Sequence, residues 1–399
     1  MKSFRTRRLV TLSLAAGLAA TMCAGSIAAS AATTHKTQAK GLTPTSFNPS
    51  FSAMKLLKPI TAKGKGGVTA ILPDEVSSNR WTDFDAPDIQ KALELAGLPK
   101  SEITVENSQG SDATAISDAQ AAILKGDKVI IYTALDSATG ATIEKDARAA
   151  GVKVIDYDRL VLGGSDKYYV SFNNVAVGTL LGKGLVSCIA AWKIASPKVI
   201  VGVGSPTDNN ATLFADGYDA VLSPFFKSGK YTLEATLAGT WTPATALTEF
   251  QQAYTAHPQT NAMLSPNDEN AAPIITWLQT QGVKPFTFPT TGQDATVTGF
   301  QNIISGYQCG TVYKPILQEA QAAVALAIYA RANVSVPKAL LAGKTLDSTT
   351  GKQVPSLLLT PQWVTPNLIA STAVAQGQVT AASICTPAFK ADCTKYGIK

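Results

Sequence analysis

Residues 128–159, KVIIYTALDSATGATIEKDARAAGVKVIDYDR, decide the fold. Residues 128–132 form a short apolar run rich in β-branched side chains, the mark of a strand buried on both faces. Residues 141–150 then read as an amphipathic helix, and residues 152–157 as a second apolar strand. Strand, helix and strand joined by short loops require a parallel pair with its crossover helix packed on the sheet. The unit ends on Tyr157-Asp158-Arg159. That places a charged pair at the carboxyl end of a parallel strand, the edge where such sheets bind ligands.

The same alternation continues in both directions. Toward the N-terminus, strands are expected at 67–72 and 103–106, with helices at 85–96 (Ile89, Leu93 and Leu95 on or near one face) and 113–124. After Ser171-Phe172 the rhythm restarts. Helices are expected at 175–190, 209–222, 244–256, 269–279, 297–304 and 316–330, and strands at 198–203, 231–238, 262–265, 287–290 and 309–313. One α/β unit is thus followed by another without detectable sequence repetition. The folded part, of about 330 residues, exceeds the usual single-domain size, so two lobes are expected. Facing each other through their strand ends, they enclose a cleft.

The N-terminus reads as an address. Lys2, Arg5, Arg7 and Arg8 precede an apolar stretch from Leu9 to about Ala20, and Ala29-Ser30-Ala31 offers the small-x-small cleavage pattern. The apolar run is short for a membrane span. Arg7-Arg8 is a weak twin-arginine signal because Thr11 stands where a hydrophobic residue is expected. Cys23 follows Ala20-Thr21-Met22, a poor lead-in for a lipidated cysteine, so cleavage after Ala31 is preferred and residues 1–31 are assigned as signal. Residues 32–66, rich in Thr, Ala, Lys, Ser and Pro, read as a flexible linker. The chain carries 34 Lys+Arg against 28 Asp+Glu, a net charge of +6, and four of those positive charges sit in the signal. The remaining net charge near +2 argues against a nucleic-acid partner.

Four cysteines remain after cleavage: Cys188, Cys309, Cys385 and Cys393. An even number in an exported protein favours disulfides, and four cysteines allow three pairings. Cys385 and Cys393 enclose a short loop in a tail with little core, so they are expected to pair, with Cys188–Cys309 as the complement. No Cys/His spacing calls for zinc, and no metal or other cofactor is expected. The only histidines, His35 and His257, rule against a histidine-based triad.

Polar clusters follow successive strands: Asn79-Arg80-Trp81, Asp156 to Arg159, Ser205 to Asn210, Gly239-Thr240-Trp241, Ser265 to Asp268, Gly292-Gln293-Asp294 and Tyr313-Lys314-Pro315. Singly each has an ordinary explanation. Asp208, Asn209 and Asp268 serve as helix caps, Lys314 as a surface residue, and Trp81 and Trp241 as core. As a set around one cleft they suit a sugar. Carboxylates, amides and cations match hydroxyls, an indole matches a C–H face, and paired Asp and Arg leave no stray buried charge.

The stretch from Asn79 to Pro315 resembles the D-xylose-binding proteins that serve ABC-type importers. The resemblance is carried by RW at 80–81, YDR at 157–159, SFNN at 171–174, SPTDNNA at 205–211, GTWTPATA at 239–246, SPNDENA at 265–271, GQDA at 292–295 and TVYKP at 311–315. It implies a type I periplasmic-binding fold, α/β, with two doubly wound parallel-sheet lobes joined by a three-segment hinge. The N-terminal lobe is expected at 67–172 plus about 315–350, and the C-terminal lobe at 173–314 plus about 351–399. It nominates as ligand-binding Arg80, Trp81, Asp158 and Arg159 from the first lobe. From the second it nominates Asp208, Asn210, Asn267 and Asp294, with Trp241 as the stacking ring and Lys314 near a crossover. Asn79 departs from the family's usual acidic residue, and Asn173 replaces an Asp. The implied function is a non-catalytic, monomeric solute-binding protein, exported to the periplasm or cell surface. It takes a monosaccharide, xylose or a related pentose or hexose, and hands it to the membrane permease of an ABC importer. A sugar-sensing partner of a chemoreceptor or sensor kinase is the alternative in another class. A carboxylate-based glycosidase is a third. Against it, a cation or amide beside Asp158 and Asp208 is expected to keep both ionised, whereas a general acid needs a raised pKa.

Overall fold

Strand β1, Val68–Leu72, is buried at all five positions, and β3, Val129–Tyr132, at all four, as strands covered on both faces must be. The structure is a computed structural model that describes residues 41–164 and 168–399. The expected export signal, Cys23 and His35 lie outside those residues.

Along the chain come α1 (Ser52–Lys55), α2 (Lys58–Thr61), β1, α3 (Ala86–Leu95), β2 (Ile103–Asn107), α4 (Asp112–Lys125), β3, α5 (Ser137–Ala149), β4 (Lys153–Tyr157) and β5 (Tyr168–Phe172). The second half supplies α6 (Asn174–Ala191), β6 (Lys198–Val201), α7 (Asn209–Lys227), β7 (Thr232–Thr236), α8 (Pro243–Ala256), β8 (Ala262–Leu264), α9 (Asp268–Thr280), α10 (Val297–Ile304), β9 (Thr311–Tyr313) and α11 (Ile316–Arg331). The chain ends with β10 (Gly343–Asp347), β11 (Lys352–Leu359), β12 (Gln362–Val364), α12 (Ala381–Ile384) and α13 (Lys390–Tyr396).

Seven strands form the first sheet in the order β10-β11-β5-β4-β3-β1-β2, parallel throughout except for β10 at its edge. The second lobe is built on the parallel triple β7-β6-β8 and the antiparallel pair β12-β9. Single bridges from Met263 to Thr290 and from Gln293 to Val312 link the two parts. The chain crosses between lobes three times, after β5, after β9 and after β11, which is the three-segment hinge.

Three expectations need correction. Residues 41–66 are not a linker: Phe47, Phe51, Met54 and Leu57 are at most 2% exposed and pack in the main core with Leu93 and Leu326. Their spacing carries a helical period that the Thr/Lys/Pro composition obscures. The stretch from 351 does not pass directly to the second lobe either. Strand β11 pairs in parallel with β5, Leu357 opposite Val170, so the third crossing falls after Leu359. The strand expected at 287–290 shrinks to the one bridge at Thr290.

Helix α6 is long and apolar enough to cross a membrane by length and composition, yet it lies against α7 within the fold. A Cβ at Gly178 would collide with the Phe214 carbonyl, and one at Gly217 with the Val175 carbonyl, so glycine permits this close approach. Asn173 caps α6, its side chain accepting from the Ala176 N–H at 3.0 Å, a role amide and carboxylate share. Cys188 on α6 is bonded to Cys309 just before β9, and Cys385 to Cys393 in the tail.

Candidate functional site

Each polar loop follows a strand, so the parallel topology gathers them at one end of both sheets. All ten side chains expected at the site line a single cavity between the lobes, joined there by Ser77, Ser78, Phe214 and Gln293. Its volume is about 20 Å³, room for roughly one water, because the lobes' polar groups meet one another.

Arg80 sits at the entry to the irregular turn before α3 and is 1% exposed. Its guanidinium is used almost completely. Nε and Nη2 reach the two oxygens of Asp85 at 2.8 and 2.7 Å. Nη1 reaches Asp158 Oδ2 at 2.7 Å and Nη2 reaches Glu319 at 2.6 Å. Asp85 also accepts from the Tyr157 hydroxyl. Trp81 lies beneath, with the Arg80 and Arg159 guanidinium carbons 4.4 and 5.5 Å from its ring centroid. Sequence reading missed Asp85 and Glu319, which occupy positions that resemble ordinary helix residues.

Asp158 and Asp294 both adopt left-handed backbone conformations, φ 64° and 85°. Such strain is held in place at functional sites by surrounding structure. At Asp158 the carbonyl accepts from Tyr169, Ser171 and Asn210 at 2.9, 2.7 and 3.0 Å. The Asp294 N–H donates to Val312, and its carbonyl accepts from Gln378 at 2.9 Å. The two carboxylates converge on Lys314, at 3.6 and 2.9 Å. Lys314 is 3% exposed; burial lowers its pKa, but Asp158 and Asp294 outweigh burial and raise it.

Arg159 donates to the Ala134 carbonyl at 3.1 Å and lies 3.3 Å from Asp208. Asp208 caps α7, accepting from the Asn210 N–H at 2.9 Å, and also takes the Trp241 indole N–H at 3.0 Å. Asn267 likewise caps α9 while its amide donates across the cleft to the Ser77 carbonyl at 3.2 Å. Capping and cleft lining are therefore both true of these residues. Asn79 is exposed and bonds Asp83 at 2.8 Å. Trp241 is half-buried and meets Phe214 edge-on at 6.3 Å.

Asp158 and Asp208 differ electrostatically. Burial raises the pKa of Asp158, but Lys314, Arg80 and Arg159 overcome it and leave the group at about 2. Asp208 moves the other way: burial pushes it up, and Arg159 pulls it down only in part. The expectation that a neighbouring cation would hold both low is thus met only by Asp158. Because its folded pKa is depressed, the Asp158 charge contributes stability that is fully present above the ordinary value near 4 and lost as pH falls toward 2. At about 1.4 kcal/mol per pH unit this amounts to about 2 kcal/mol. Urea unfolding should therefore separate wild type from Asp158→Asn by a constant margin from pH 5 to 7 that closes below pH 4. A margin unchanged at pH 2.5 would refute the ionised assignment.

Among the described residues, no group of three His, Cys, Asp or Glu side chains is placed to hold a metal. His257 pairs with Glu234 at 2.8 Å, on the surface of the second lobe.

Residues 70–333 match the family model described as periplasmic binding protein domain. The D-xylose-binding periplasmic protein of Escherichia coli (strain K12) is 32% identical over 325 residues, 81% of this chain and 94% of that protein. The multiple sugar-binding periplasmic receptor ChvE of Rhizobium radiobacter is 32% identical over 328 residues, covering 76% of this chain and 88% of its own. A carbohydrate transporter solute-binding protein from Chloroflexus aurantiacus, solved in complex with D-glucose, superposes with a TM-score of 0.70 at 27% identity, covering 79% of this chain and 97% of that one. These relatives are binding and transport proteins rather than enzymes.

Proposed function

The chain belongs to the periplasmic binding protein family, and from that premise we propose that it captures a monosaccharide, D-xylose foremost, in the interlobe cleft. It is exported, acts as a monomer and delivers its sugar to the membrane permease of an ABC importer. The ligand-binding residues are the ten expected from the sequence, all of which line the cavity. The lobes divide at the three crossings, residues 41–164, 168–172 and 316–359 forming the first and residues 173–315 and 360–399 the second. The carrying observation is that these ten polar, charged and aromatic side chains from both lobes converge on one cleft. Their charges are largely paired with one another, which suits a neutral, hydroxyl-rich ligand.

Binding in this reading is an exchange. Asn267 and Ser77, Asn210 and Asp158, and Arg159 and Asp208 satisfy each other across the closed cleft. Sugar hydroxyls take over those hydrogen bonds as the lobes part and re-close, so no buried polar group is left without a partner. The Trp241 indole supplies the apolar face.

A thermal-shift panel of pentoses and hexoses tests the ligand class. A sugar at a thousandfold excess over Kd stabilises the folded state by about 4 kcal/mol. Calorimetric titration then tests the site. Trp241→Ala should weaken xylose binding by about 1–3 kcal/mol. Trp241→Phe, which keeps a ring but removes the N–H to Asp208, should lose less. Arg159→Lys should weaken binding and Arg159→Ala should weaken it further, because the planar fork has no copy in lysine. Unchanged affinity in both alanine variants would place the site elsewhere.

A further inference from the structure

Beyond the inner site the lobes leave a second cavity of about 460 Å³. That volume lies within the range of about 300–1,000 Å³ typical of small-molecule sites. Ser77, Arg159 and Trp241 line both cavities, so the two adjoin along shared walls. The outer cavity also draws on both lobes: Leu135 and Gln109 come from the first, Ser205 and Thr240 from the second.

Its first-lobe wall is a built feature. The Asp74 carboxylate, 7% exposed, accepts from the N–H of Val76 at 2.7 Å and from the N–H and hydroxyl of Ser77 at 2.6 and 2.8 Å. These bonds hold the 74–77 loop so that Val76 stands out 61% exposed into the cavity. Val76, Leu135 and the Trp241 ring give apolar surface, while Gln109, Ser205 and Thr240 bring donors and acceptors. Apolar surface beside adaptable hydrogen-bonding groups is what a second sugar ring requires, as it was for the first.

We propose that the cleft accepts a two-ring saccharide, with one ring in the inner site and the second resting on Val76 in the outer cavity. This rests on the sugar-binding reading of the inner site. A monosaccharide occupies the inner site alone; a disaccharide with the same inner unit fills both.

Titration calorimetry of the full chain with D-xylose, D-glucose, xylobiose, cellobiose and maltose tests it. At least one disaccharide should bind about tenfold or more tightly than its own monosaccharide, a gain of about 1.4 kcal/mol. Val76→Trp fills the outer cavity at an exposed position. It should abolish that gain and leave the monosaccharide within about twofold of wild type. Monosaccharides binding while every disaccharide binds more weakly would overturn the second subsite and leave the sugar reading intact. A Val76→Trp variant that keeps the disaccharide gain would also overturn it. Failure of every saccharide to bind would instead remove the inner-site reading on which it stands.

Discussion

Arg80→Ala should lower the unfolding free energy by about 3–5 kcal/mol at neutral pH, the scale for breaking a buried ion pair from one side. Arg80 is the shared donor of Asp85, Asp158 and Glu319, and its removal leaves three carboxylates in the interior with one fewer cation. Burial already pushes Asp85 upward against the pull of Arg80. Burial and the nearby Asp158 push Glu319 well above the usual carboxylate range, with Arg80 again the opposing pull. Without the guanidinium both rise further, so the folded variant binds more protons than its unfolded chain as pH falls. The deficit should therefore be larger at pH 8 than at pH 5. Urea unfolding of wild type and variant at the two pH values measures it. A loss below about 1 kcal/mol, or one independent of pH, would show that the cluster does not depend on its cation. Sugar affinity should fall as well, because Arg80 also orients Asp158 at the cleft.

Removing the Cys188–Cys309 bond should be at least as damaging. The bridge closes a sequence separation of 121 residues, against 8 for Cys385–Cys393. In the chain-entropy account, the long loop contributes about 5 kcal/mol and the short one about 2.5 kcal/mol. Paired alanine substitutions at each bridge, compared by denaturant unfolding, give the ratio directly. An equal or larger loss from the tail bridge would show that unfolded-loop entropy does not govern these crosslinks. Both ends of the long bridge belong to the second lobe, so sugar affinity should change little in Cys188→Ala/Cys309→Ala.

The alternation of apolar strands and amphipathic helices was legible because it is local. Residues 128–157 satisfy strand and helix periods within themselves, and five-residue runs such as VTAIL admit little but a buried strand. The placement of Arg80, Asp158, Asp208, Asn267 and Lys314 at strand ends followed from the same pattern, since parallel connectivity brings those ends together. The choice of the ten side chains came from the resemblance to the D-xylose-binding proteins, and strand order explains why they meet in one cavity.

What only tertiary structure decided is long-range. Asp85 and Glu319 are drawn to Arg80 from positions 5 and 239 residues away, and nothing in the spacing around Glu319 distinguishes it from a solvated helix residue. Strand β11 reaches β5 across more than a hundred and eighty residues, and strand pairing over such a span leaves no periodic trace. Phe47, Phe51, Met54 and Leu57 enter the core because a surface exists for them to cover. Their neighbours' polarity describes the outward face alone. The direction of the Asp208 pKa also waited on the fold, since burial, which outweighs the Arg159 charge there, is a property of packing and not of sequence.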